Sequence, residues 1–218
     1  MAEHTTRTVR EHYARLAEHY DAGANRACKR AYERFIPEAL AGCRRVLEIG
    51  AGSSPLLDAV DAPLRVGADL SHAMLSRRGA AADAPRVVTD LQQPGLAEGS
   101  FDGIFSLNVM EHVPDPAAFV RAHHALLTPG GRSVIVTPNG GMAGLLELLE
   151  RLRLKLPEGP HRFVDAREIR AHAESAGLAV ERIEAWLAFP AGPEALVRAV
   201  DRCAGGFGLF LRAVLVKP

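Results

Sequence analysis

Cysteine and lysine are both scarce in this chain. Among 218 residues the cysteines are Cys28, Cys43 and Cys203, far apart and with no CxxC pair. That excludes a zinc knuckle and a disulfide-stapled fold, and no metal site is expected. Lysine occurs only at Lys29, Lys155 and Lys217, so the basic residues are nearly all arginine. Neither sign of charge is in excess, with 26 Lys+Arg against 26 Asp+Glu. The electrostatic footprint of a nucleic-acid binder is therefore missing, and no nucleic-acid partner is expected. No apolar run reaches the roughly 18 residues of a membrane span. The opening MAEHTTRTVREHY is charged and lacks the apolar core of a secretory signal. The expectation is a soluble cytoplasmic protein with no membrane partner. Internal repeats and long linkers are also lacking. What remains is ordinary globular composition, 48% hydrophobic and 24% charged, in a length that supports one sizeable core.

The apolar residues change period along the chain. Val9, Tyr13, Leu16 and Tyr20 recur at helical spacing until Asp21 and Gly23 interrupt them. A second helix is expected over 25–40. Short apolar runs bounded by turn residues follow: 45–49, 64–68 ending at Asp69, 86–89 ending at Asp90, 101–107 and 133–137. Helical stretches at 71–78 and 116–127 separate them. Two more strand-like runs, 179–187 and 208–216, flank a helical stretch at 194–203. A helix near 165–176 stops at Gly177, a good C-terminal signal. Short strands alternating with helices imply βαβ units, so the expectation is an α/β fold with seven strands, mostly parallel.

The most informative segment is Val46-Leu47-Glu48-Ile49-Gly50-Ala51-Gly52-Ser53-Ser54-Pro55. It reads as a strand, a glycine turn and then a helix, whose N-terminal N–H groups would face a polar ligand. A dinucleotide fingerprint needs glycine where Pro55 stands. Glu48, two residues before the first glycine, suits an amine-bearing ligand better than a pyrophosphate. Asp69 and Asp90 end the next two strands. A carboxylate at the first tip can accept from a ribose diol, and one at the second from an adenine amino group. Ligands of open α/β sheets bind along that edge.

The runs VLEIGAGSS, GADLSHAML, TDLQQPGLAEGSFDGIFSLNVMEHVPDP and LLTPGGRSVIVTPN together resemble the class I S-adenosylmethionine-dependent methyltransferases. The nearest subgroup makes quinones and natural products. The resemblance is strong over about 44–140 and looser through HRFVDAREIRAHAESAGLAVERIE. It implies a Rossmann-like three-layer sandwich with the last strand antiparallel and a helical cap. The implied cofactor is S-adenosylmethionine, leaving as S-adenosylhomocysteine. Glu48, Gly50, Ala51 and Gly52 correspond to the turn that holds its methionine part. Asp69 and Leu70 correspond to the ribose acid and an adenine wall, and Asp90 and Leu91 to the adenine-reading pair. Asn108 stands where a backbone carbonyl meets the cofactor's amino group. Ser54 replaces a glycine common in the family.

The acceptor side rests on fewer signals. His112, after the fourth strand, has a usable pKa for proton transfer. His161 follows a polar break and is the second catalytic candidate. Tyr13 and Tyr20 are expected to line the pocket from the cap, Tyr20 on the cofactor and Tyr13 on the acceptor. Lys155, His161 and Arg162 are expected to bind an acceptor that carries an acidic group. His161 and Arg162 rank first because neither has an obvious local ion partner. His123 and His124 read as surface helix residues. The division expected is one domain: cap helices 1–40, cofactor core 41–140, a leucine-rich lid 141–164 and the rest of the sheet 165–218. The reaction implied is methyl transfer to an oxygen of a small molecule, by a monomer or homodimer. A nitrogen or carbon acceptor, a nicotinamide-dependent oxidoreductase and a non-catalytic cofactor-binding module are the alternatives.

Overall fold

The computed structural model describes residues 5–17, 26–77, 84–151, 161–187, 199–200 and 207–218. Seven strands make one sheet: β1 (Arg45–Ile49), β2 (Leu64–Asp69), β3 (Arg86–Val88), β4 (Phe101–Leu107), β5 (Leu127–Pro138), β6 (Ala179–Trp186) and β7 (Phe210–Val216). Their order across the sheet is β3-β2-β1-β4-β5-β7-β6. β1 to β5 pair in parallel, while β7 runs antiparallel to both β5 and β6. The antiparallel last strand matches the expected fold class, and the structure places it between β5 and β6.

Parallel strands buried on both faces carry continuous apolar runs rather than an alternating pattern. Here Leu47, Ile49, Ile104, Ile135 and Ala213 turn to one face. Val46, Phe105, Val134, Val136 and Val214 turn to the other. The first face is covered by α4 (Pro116–Leu126) and α6 (Ala166–Ser175), which supply Phe119, Val120, Ile169 and Ala173. The second is covered by α2 (Arg26–Ala39), through Ala31, Phe35 and Ile36. The result is a three-layer α/β sandwich. Capping is local and legible. Asp115 accepts from Ala118 N at the start of α4, and Asp165 forms a capping box with Glu168 at the start of α6. Gly177, at φ 81°, follows α6.

One expectation fails in the first crossover. The helix expected after the glycine turn is not there; residues 56–59 make a single 3-10 turn, and β2 begins at Leu64. The cause is in the residues. Pro55 and Pro63 bracket the segment, Pro63 disfavours helix at Ala62, and Pro55 itself offers no capping side chain, Ser54 Oγ accepting from Leu56 N at 3.1 Å instead. Leu56, Leu57 and Val60 pack instead against Phe35, Ile36 and Leu40, so α2 covers the face that a crossover helix would cover.

The remaining elements are α1 (Thr6–Leu16), α3 (His72–Ser76) and α5 (Ala143–Arg151). α1 presents Val9 inward, as its stripe predicts, and packs against α3. α5 buries Leu146 and leaves Leu145 36% exposed. Residues 152–160 of the leucine-rich stretch, and most of the expected helix at 194–203, lie outside the described residues. Among the described residues, no helix is long and apolar enough to cross a membrane.

Candidate active site

β1, β2, β3 and β4 all end at one edge of the sheet, and the turns that leave them carry the expected residues. Gly50 sits at φ 77° and Gly52 at φ 44°, in the left-handed region where glycine pays no side-chain penalty. Gly50 also has no room: a Cβ there would lie 2.2 Å from Val109 Cγ2. The turn is pinned to β2, because Gly50 N and Ala51 N both donate to Ala68 O, at 2.8 and 3.0 Å. Glu48 lies beneath it, 2% exposed.

Asp69 joins two turns. Its Oδ2 accepts from Gly52 N at 2.9 Å and its Oδ1 from Ser71 N at 2.7 Å. Burial pushes this carboxyl above its usual range, and the N–H donors of Ser71, Gly52 and Leu70 pull the other way. An acid expected as a ligand for a ribose therefore also fixes the shape of the glycine turn. Leu70 is partly buried, and Leu91 is 8% exposed. Asp90 stands two residues past β3 rather than at its end, and its Oδ1 accepts from Gln92 N at 2.9 Å. Gln92, a residue with no signal in the sequence, ties this loop to the cap. Its Nε2 donates to Thr6 Oγ1 at 3.4 Å, and its Oε1 accepts from Asp115 N at 2.8 Å.

The exit of β4 is the other wall. Asn108 N donates to Val136 O at 2.8 Å, and the residue adopts φ 53°, a conformation asparagine tolerates better than most. Its Nδ2 approaches Tyr32 Oη of α2 at 3.5 Å. Val109 then leads into a 3-10 turn, Met110–His112, in which all three residues are buried.

Three residues singled out for the acceptor side meet here. Tyr13 Oη of α1 lies 2.9 Å from His112 Nε2, although 99 positions separate them. The rings of His112 and His161 stand 6.3 Å apart, and His161 packs on Phe163 at 4.7 Å. Glu111, not expected as a site residue, is wholly buried beside them. Its Oε2 accepts from Thr137 Oγ1 at 2.8 Å, and its Oε1 lies 3.8 Å from His112 Nε2. The only trace of it in the sequence is an acid inside an otherwise apolar run, next to the histidine.

Two expectations need correction. Arg162 does have a partner: it pairs with Glu168, six positions on, at the start of α6. That spacing escapes a helical i, i+4 reading because residues 161–165 are extended. His123 is not a surface residue. It is fully buried on the inner face of α4, with Nδ1 2.7 Å from Ser133 Oγ of β5. Tyr20 and Lys155 lie outside the described residues.

The comparisons with known proteins bear on the family and the fold. The ubiquinone biosynthesis O-methyltransferase of Pseudomonas aeruginosa (strain LESB58) is 34% identical over a 159-residue alignment that covers 66% of this chain and 68% of that protein. Among solved structures, a possible histamine N-methyltransferase from Thermotoga maritima aligns with a TM-score of 0.74 at 16% identity, covering 96% of this chain and all of that one. The [4+2]-cyclase SpnF aligns with a TM-score of 0.73, also at 16% identity, covering 98% and 96%. At such identities the two structures speak for the fold alone. The model of the methyltransferase domain matches residues 2–183, from the cap through β6, and this chain belongs to that family.

Proposed function

We propose that the protein transfers the methyl group of S-adenosylmethionine to an oxygen of a small molecule. The observation that carries this is the meeting of the Asp69-braced glycine turn with a β4 exit that holds His112 against Tyr13. The donor is S-adenosylmethionine, with Glu48, Gly50, Ala51 and Gly52 at its methionine part. Asp69 serves the ribose, Leu70 walls the adenine, Asp90 and Leu91 read the adenine, and Asn108 offers its backbone carbonyl to the amino group. A sulfonium methyl is already activated. The protein's work is to align donor and acceptor and to exclude water. A hydroxyl acceptor must also lose a proton, and His112 is the base. Oxygen is favoured by the relatives named ubiquinone biosynthesis O-methyltransferase.

The acceptor carries an acidic group next to His161 and Arg162. Arg162 is 54% exposed at its side chain and already engages Glu168. A guanidinium has five N–H donors, so a carboxylate can share it. That competition makes Arg162 a weaker anchor than an unpaired arginine would be.

Calorimetry and turnover test the reading. S-adenosylmethionine and S-adenosylhomocysteine should both give binding heats and NAD none. Tritiated methyl should appear on 3,4-dihydroxybenzoate, a phenol with an acidic group. No heat with either sulfur compound would overturn the cofactor assignment. Asp69→Ala should weaken S-adenosylhomocysteine by about 1–3 kcal/mol, since a charged acceptor and the brace of the turn go together. Unchanged affinity in that variant would remove Asp69 from the site.

A further inference from the structure

Three side chains behind the β4 exit form a file that leads inward. Tyr13 is partly exposed, His112 is 5% exposed and Glu111 is not exposed at all. The contacts follow the same order. Tyr13 Oη is 2.9 Å from His112 Nε2, and Glu111 Oε1 is 3.8 Å from that nitrogen. Of the three, the tyrosine is therefore the side chain that solvent or a ligand reaches first. We propose that Tyr13 touches the acceptor's hydroxyl and passes its proton to His112, with Glu111 as the buried counter-charge. This rests on the methyl-transfer reading above.

The step balances without any added reactant. Tyr13 O–H donates to unprotonated His112 Nε2, and the acceptor O–H donates to Tyr13 Oη. The acceptor oxygen attacks the methyl carbon, and the carbon–sulfur bond breaks with its electron pair staying on sulfur. As the new carbon–oxygen bond forms, the acceptor's proton moves to Tyr13 and Tyr13's own proton moves to Nε2. The products are a methyl ether, a thioether and an imidazolium.

Burial decides the role of Glu111. An ionised carboxylate out of contact with water is costly unless donors and a positive charge offset it. Thr137 Oγ1 supplies a neutral donor at 2.8 Å, and the imidazolium would supply the charge. Three other described groups stand close to this pair. His161 stands 6.3 Å away, ring to ring, and packs on Phe163. His12 packs edge-on against Tyr13 on the far side, 5.3 Å between rings. The side chain of Arg162 is turned to Glu168, and only its backbone N–H reaches this turn, donating to Glu111 O at 2.8 Å. Tyr13 arrives on α1, so the proton path is complete only while the cap is docked. Glu111 is a positioning residue in this scheme and Tyr13 a catalytic one.

Titration of ring-labelled histidines by NMR, in the full chain, tests the inner half without any acceptor. In Glu111→Gln the His112 midpoint should fall by about one pH unit or more, because an opposite charge is removed. Thr137→Val keeps that charge and frees Oε2, and its His112 midpoint should stay at or above the wild-type value. Equal midpoints in wild type and Glu111→Gln, or a fall in Thr137→Val, would overturn the role of Glu111. Turnover tests the outer half. Tyr13→Phe should lose at least a hundredfold in methylation of 3,4-dihydroxybenzoate with S-adenosylmethionine affinity unchanged. A Tyr13→Phe enzyme with normal turnover would overturn the relay. A wild-type protein that binds S-adenosylmethionine but methylates no such phenol counts against the oxygen-acceptor reading instead.

Discussion

Gly50→Ala is expected to lose about 2–5 kcal/mol of stability and at least tenfold in S-adenosylmethionine affinity. Two separate costs add. At φ 77° an alanine pays about 1–2 kcal/mol for the left-handed backbone. Its Cβ would also stand 2.2 Å from Val109 Cγ2, well inside contact distance. Val109 is 8% exposed and belongs to the core, and forcing a methyl into such packing typically costs about 1–3 kcal/mol. The affinity falls because the strain relaxes towards the turn itself. Gly95 makes the control: its φ is 60° but nothing lies within 4 Å of its Cβ position. Gly95→Ala should show the backbone cost alone. Urea unfolding and calorimetry on both variants read the difference. Adding Val109→Ala to Gly50→Ala should restore part of the affinity. Equal stability losses at Gly50 and Gly95 would refute the packing argument.

The second large effect is on acid stability and comes from His123. Full burial pushes its pKa down to about 3. The ring is neutral in the fold, with Nδ1 at Ser133 Oγ and Nε2 unmatched among the described residues. The unfolded chain takes up a proton near the ordinary value of about 6.5, the folded one only near the lowered value. The contribution is thus fully present above about 6.5 and is lost as pH falls towards 3, by about 1.4 kcal/mol per pH unit. By pH 4 that is on the order of 3 kcal/mol. His123→Gln keeps a hydrogen-bonding group near Ser133 but cannot titrate. It should be less stable than wild type at pH 7 and close the gap by pH 4. Unfolding midpoints at pH 7, 5.5 and 4 give the comparison. Curves that stay parallel between the two proteins would show that His123 is not the group responsible.

The strands and the glycine turn are legible in the sequence because their signals are local. Val46–Ile49 running into Gly50-Ala51-Gly52, and acids just past the strands that follow, need no knowledge of what packs where. The boundaries that misled are those set by tertiary context. Residues 56–62 have enough apolar side chains for a helix, but the prolines on either side and the cover provided by α2 leave room for one turn. β5 begins at Leu127, six residues before its apolar run, because Leu127 pairs with Phe101 ahead of the irregularity at Gly103. His123 looks like an exposed helix residue until β5 is laid beside α4 with Ser133 facing it. The meeting of Tyr13 with His112 is of the same kind. A stripe on α1 calls for a partner, and nothing along the chain says that the partner is the β4 exit. Glu111 escapes because a lone acid beside a histidine is common, and only its complete burial sets it apart.

The place of β7 has a consequence for biosynthesis. β5 offers its free edge to β7, and β6 bonds to β7 and to no other strand. On a ribosome the parallel strands can assemble in turn, each onto one already made. β6 emerges with nothing to pair with and must wait for residues 210–216. Until then Val134, Ile135 and Val136 lie on an open rim, apolar on both faces, in the form that invites pairing with another chain. Closure at β7 is therefore the last and most non-local step in assembling this sheet, and non-local pairing is slow. During that interval the nascent chain is most exposed to misassembly and most in need of a chaperone.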